Sequence, residues 1–160
     1  EEAGKGVAMQ VAAMSPIALN AASVPQDVKD TETKNAVEKA KQNQIAKAVE
    51  AALKKAGINP AHVDSEDHIE SNTAKGWITP EDAAKAREIK ATVAQEAEAN
   101  LKEQMIQNIA NGMVAKFYKE SCLLEQAYID DNKISVAQYL QNIDKELTVT
   151  DFKRFTLRAE

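Results

Sequence analysis

Apolar residues at helical spacing define the first element of the chain. They share one stripe, a turn apart, formed by Val7, Ala8, Val11 and Ala12. Because proline disfavours helical geometry at the residue before it, this helix should end at Ser15, ahead of Pro16. The apolar run 17–22 that follows predicts a short strand.

A second, much longer helix is predicted to begin at Pro25. Proline suits the first turn of a helix, and Asp27 adds favourable charge at the positive end of the helix dipole. Its apolar positions are Val28, Val37, Ile45, Val49 and Leu53. The cluster of Gly57, Asn59 and Pro60 is a stop signal. At a rise of 1.5 Å per residue the helix would be roughly 45 Å long, which exceeds the width of a small domain.

A third helix is predicted from Thr79, with Pro80 and Asp82 completing its start signal. It carries an apolar residue at every fourth position: Ile89, Val93, Ala97, Leu101, Met105, Ile109, Met113 and Phe117. Because a step of four drifts slowly round a straight helix, this stripe should change its partner along its length. The two long helices should pair as a narrow, alanine-rich antiparallel hairpin.

The segment 58–79 between the two long helices is predicted to be a polar connector. Few of its side chains look able to pack, namely Val63, Ile69, Trp77 and Ile78.

The last part of the chain has a different pattern of apolar and polar residues. Ser135 and Gln138 form a capping box for an amphipathic helix, and the alternation over 147–157 predicts a closing strand with one buried face.

These elements predict an α+β fold, in which a small antiparallel sheet with packed helices is interrupted by a long inserted antiparallel helical hairpin, or coiled coil. Residues 1–27 and 118–160 would form the discontinuous core subdomain. Residues 28–117 would form the protruding hairpin, with 58–79 as its connector.

Composition and charge narrow the classes of function. The chain is 44% apolar but only 4% aromatic, and the many alanines favour thin, closely packed helices. A net charge of -5 provides no general field for polyphosphate, so we expect no direct contact with nucleic acid. No run of eighteen apolar residues exists, so we expect no membrane span. One cysteine and an acidic start without methionine favour a piece of a longer cytoplasmic protein.

The residues that could carry chemistry lack the spacing that chemistry needs. The Gly-Lys-Gly segment 4–6 is not a phosphate-binding loop. His62 and His68 lie among acidic residues, but their six-residue spacing fits no common zinc pattern, so we predict neither metal nor cofactor. Cys122 follows a helix end, where the partial negative charge raises the pKa of a thiol, and should be a buried apolar residue. An enzyme is therefore disfavoured.

Three blocks of sequence resemble the translation elongation factor Ts family, in the order in which that family carries them. The block GVAMQVAAMSPIALNAASVPQ (6–26) resembles a helix with a Met-(His/Gln)-(Ile/Val)-Ala-Ala core that runs into a proline and an apolar strand. The block 112–140 is similar to the family's Lys-Phe and Leu-Leu-x-Gln-(Pro)-(Phe/Tyr)-(Val/Ile) elements, and VTDFKRFTL (149–157) resembles its closing strand. Ala127 replaces the usual proline, and Arg158 stands where glycine is usual.

The resemblance covers roughly the C-terminal half of such a factor and implies a non-enzymatic guanine-nucleotide exchange factor for elongation factor Tu. In the family, exchange depends largely on a Thr-Asp-Phe-Val motif of the N-terminal half. The Thr-Asp-Phe segment 150–152 imitates it, but its place in the closing strand argues against transferring that role. This chain would be the docking half, and the resemblance places its partner-binding residues at Leu124, Gln126, Tyr128 and Ile129.

Competing interpretations stay open at this point. The apolar group that includes Leu124 and Ile129 fits core packing under the following helix as well as contact with a partner. The alternative function is a structural or adaptor protein that acts through its helical hairpin. The two functions overlap, because the family's coiled coil can itself support a homodimer. Loss of self-association on deleting 30–100 would favour the adaptor.

Overall fold

The structure is a computed structural model that describes residues 1–158. In chain order it contains α1 (Glu2–Met14), α2 (Gln26–Lys55), α3 (Glu66–Ala74), α4 (Pro80–Ala99), α5 (Glu103–Ser121), β1 (Ala127–Tyr128), β2 (Asp131–Ser135) and α6 (Val136–Ile143). Short 3-10 turns occur at Ala21–Ser23 and Pro60–His62. Within residues 1–158, none of these helices is both long and apolar enough to cross a membrane.

The backbone divides into two compact units. Unit 1 contains residues 1–36 and the described residues from 111 onward, and unit 2 contains residues 37–110. The limits predicted from the sequence, 1–27 with 118–160 and 28–117, stay a prediction, and positions 159 and 160 lie outside the described residues.

The predicted α+β class is confirmed, because the helices are accompanied by an antiparallel pair of strands. β1 and β2 pair Ala127 with Ser135 and Tyr128 with Asp131, with an irregular register between the two pairs. The capping signals are also confirmed. The Thr79 hydroxyl accepts from the Asp82 N–H at 3.0 Å, and Ser135 and Gln138 form the reciprocal capping box.

The single helix predicted from Thr79 to Phe117 is wrong, because α4 ends at Ala99 and α5 begins at Glu103. The side-chain amide of Asn100 donates to the Glu96 carbonyl at 2.9 Å, and its backbone N–H donates to the same carbonyl at 3.1 Å. An asparagine that bonds locally to the backbone competes with helix continuation. The coiled-coil pairing of two unbroken arms is therefore not confirmed.

Neither predicted terminal strand is present. Over 17–22 there is only a single parallel bridge between Ala18 and Cys122, followed by a 3-10 turn capped by the Asn20 side chain. Residues 147–157 contain no strand, although part of the segment packs on the core of unit 1. A strand requires a neighbour for its hydrogen bonds, and β2 is paired only with β1 among the described residues.

The connector 58–79 is more structured than predicted, since it contains α3 and supplies part of the unit 2 core. The buried members of that core are Leu53, Ile58, Val63, Ile69, Ile78, Ala83 and Ala86. Val63, Ile69 and Ile78 pack as predicted, whereas Trp77 is 62% exposed. The expectation that Trp77 packs inside was wrong.

Candidate partner-binding surface

The four predicted partner-binding residues lie in one segment, residues 122–129, which follows α5 and includes β1. On one side, the N–H groups of Leu123 and Leu124 donate to the carbonyls of 18–19, at 2.9 and 3.1 Å. On the other side, the carbonyls of Gln126 and Leu124 accept from the first two N–H groups of α6, at 2.9 and 3.1 Å. The backbone of the segment is thus braced from both sides, and its residues Ala127 and Tyr128 also pair with β2.

A pair of buried amides ties this segment to α1. Gln10 and Gln126 are 0% and 1% exposed. Gln10 donates to the Gln126 amide oxygen at 3.2 Å and to the Ala127 carbonyl at 3.0 Å, and it accepts from the Ile129 N–H at 2.9 Å. Gln126 donates to the Glu120 carbonyl at 2.8 Å. Buried amides that are bonded in this way fix the geometry of the groups they join.

Tyr128 packs against α6 in the same region. Its ring stacks on Tyr139 with the centroids 4.0 Å apart and the planes 9° apart. A Cβ placed at Gly6 would lie 2.6 Å from the Tyr128 hydroxyl oxygen, so the close approach of α1 requires glycine. The hydrogen-bonding interaction with the Tyr139 hydroxyl, together with burial, raises the pKa of Tyr128 to about 12.

The four residues differ in what they offer to a partner. Gln126 and Tyr128 are buried, at 1% and 6% exposure, and their side chains bond or pack within unit 1. Leu124 and Ile129 are partly exposed and pack on the same core. Their role in binding stays a prediction, and the structure assigns accessible apolar surface only to the second pair.

Beside β1 lies an open hollow of about 390 Å³, lined mostly by polar and charged residues. Its charged lining comprises Lys116, Lys119, Glu120, Glu125 and Lys133. Lys116 and Glu120 approach to 3.6 Å, and both are exposed. The surface next to the 122–129 segment is therefore a polar rim, the usual surrounding of an apolar interface centre.

Comparison with known proteins decides the family. The family model described as Elongation factor TS matches residues 1–159. The chain belongs to the elongation factor Ts family. It is 64% identical over all 160 residues to elongation factor Ts of Bacteroides fragilis, 61% to that of Phocaeicola vulgatus and 60% to that of Parabacteroides distasonis. The family inferred from the three sequence blocks is confirmed, and the chain is related to translation elongation factors.

The chain spans about half the length of the curated relatives it matches, 48% of the Bacteroides fragilis protein and 49% of the other two. No solved structure matches the chain.

Gln10 is the residue of this region that the sequence analysis did not select. It stands at the (His/Gln) position of the elongation factor Ts motif, within the otherwise apolar stretch 6–14. A polar residue in that setting is the signal that could have identified it, because a buried amide needs hydrogen-bond partners. The partners themselves, more than a hundred residues away in sequence, are visible only in the structure.

The remaining candidates for catalysis or metal binding are Cys122, His68 and His62. Cys122 is fully buried, as predicted, but burial is the main reason that the pKa of its thiol rises to about 11. His68 pairs with Asp64, and the His62 ring lies 5.8 Å from that of Trp77. Over residues 1–158 there is no group of three or more His, Cys, Asp or Glu side chains that could hold a metal ion.

Proposed function

We propose that this chain is the docking half of a guanine-nucleotide exchange factor and binds elongation factor Tu through Leu124 and Ile129. Membership of the elongation factor Ts family and a length of about half that of its relatives support this proposal. The observation that carries it is the braced 122–129 segment, which holds two partly exposed apolar side chains on a rigid backbone.

The physical argument concerns the free energy of binding. Binding energy at protein interfaces is concentrated in a few well-packed side chains, and it is larger when these are already held in the bound geometry. Gln10 bonds to both neighbours of Tyr128 in sequence, at Ala127 and Ile129. Gln126 and Tyr128 would thus support the surface from below, while Leu124 and Ile129 touch the partner.

The chain alone should bind without accelerating the release of GDP, and it should act as a non-enzymatic factor. In the elongation factor Ts family, the Thr-Asp-Phe-Val exchange motif belongs to the N-terminal half. The imitating segment 150–152 is engaged locally: Phe152 packs on the unit 1 core, and its N–H donates to the Asp151 carboxylate at 2.8 Å. A location in the cytoplasm and the absence of direct contact with nucleic acid follow from this proposal and stay predictions.

The test measures the affinity of the full chain for elongation factor Tu by calorimetry. Ile129→Asp should weaken binding by about tenfold or more, because a charge would replace an apolar contact. Ile143→Asp makes the same change at an exposed site on α6 and serves as the control, with an expected loss of less than about twofold.

Because Ile129 also packs on the core, Ile129→Ala provides a milder second variant. Its circular dichroism spectrum should match that of the unaltered chain while its affinity falls. Unchanged affinity in both Ile129 variants would remove this residue from the surface and with it the proposed site.

A second proposal is self-association through unit 2, as in a structural or adaptor protein. An open apolar groove of about 440 Å³ supports it, with a lining that includes Ile45, Val49, Leu53, Val63 and Ala94. Sedimentation should then show a dimer that Val49→Lys and deletion of 30–100 both abolish. A monomer at all accessible concentrations would exclude this function.

A further inference from the structure

We draw no further inference here: the strongest candidate, the open apolar groove of unit 2 lined by Ile45, Val49, Leu53 and Val63, belongs to the self-association already proposed, and nothing in the structure shows what else would cover it.

Discussion

The two units present apolar side chains in different ways. In unit 1, Leu124 and Ile129 are partly buried and held by a backbone that Gln10 and α6 brace from inside the core. In unit 2, Trp77 lies mostly in water and is oriented by a backbone turn and by neighbours on the surface. Because the interior excludes competing water, the arrangement in unit 1 should be the more sensitive to substitution and the less sensitive to salt.

The largest effect should follow from removing the amide that braces unit 1. Gln10→Leu leaves the Ile129 N–H and the Ala127 carbonyl without their partner inside the protein. We expect a loss of about 2–4 kcal/mol in the free energy of unfolding, measured by urea denaturation. Gln42→Leu, at an exposed position of unit 2, should change it by less than about 0.5 kcal/mol. Equal effects of the two variants would contradict the difference between the units.

A somewhat smaller effect is expected from filling the space at Gly6. The added methyl of Gly6→Ala would lie 2.6 Å from the Tyr128 hydroxyl oxygen, so the stacked tyrosines must shift. The expected loss is about 1–3 kcal/mol, as for other overpacked sites. Gly4→Ala is the matched control on the same helix, since no atom lies within 4 Å of its added methyl. That variant should gain up to about 1 kcal/mol from helix propensity.

Alkaline pH should weaken unit 1 before unit 2. Burial raises the pKa of Cys122 from 9.0 to about 11, and the Tyr139 hydroxyl with burial raises the pKa of Tyr128 from 10.0 to about 12. A raised folded pKa adds stability that is complete below the unfolded value and is lost as pH rises through the folded value. The urea midpoint should therefore fall between pH 9.0 and about 12. Tyr128→Phe should flatten the upper part of that profile, and an unchanged profile would refute the assignment.

The same burial should slow the alkylation of the Cys122 thiol by iodoacetamide. At pH 8 a pKa of about 11 leaves roughly a hundredfold less thiolate than the ordinary value of 9.0. The native chain should thus react at least that much more slowly than the chain in denaturant. Similar rates in the two states would show that Cys122 is accessible.

The smallest effect should come from the exposed ion pairs of unit 2. Hydrogen bonds from His68 and Arg87 lower the pKa of Asp64 and Glu66 respectively. A lowered folded pKa adds stability that is present above the unfolded value and is lost as pH falls through the folded one. Because these groups are exposed, Arg87→Met should alter the acid limb of the stability profile only slightly, as followed by Trp77 fluorescence. A large change would mean that this pair is screened from solvent.

Local signals in the sequence predicted several parts of the fold correctly. Thr79 and Ser135 start helices because each hydroxyl accepts from an N–H three residues on, a bond that needs no distant partner. The break at Asn100 was missed because an apolar stripe reports which face is buried and not whether the backbone ladder continues. The strand expected over 147–157 failed because alternation cannot supply the neighbouring strand. Residues 17–22 do have a neighbour at 121–124, but the pairing ends at Leu19, because the chain then enters the 3-10 turn Ala21–Ser23.

The sequence by itself determined the family, the mixed α+β class, the helix starts and the burial of Cys122, all of which depend on neighbouring residues or on whole blocks of sequence. Only the tertiary structure decided that Gln10 and Gln126 are buried together and that Trp77 remains outside. Burial of a polar group depends on whether bonding partners from distant parts of the chain arrive beside it. Burial of an aromatic side chain depends on whether the core has room for it. The periodicity of apolar residues in the sequence shows neither the distant bonding partners nor the space in the core.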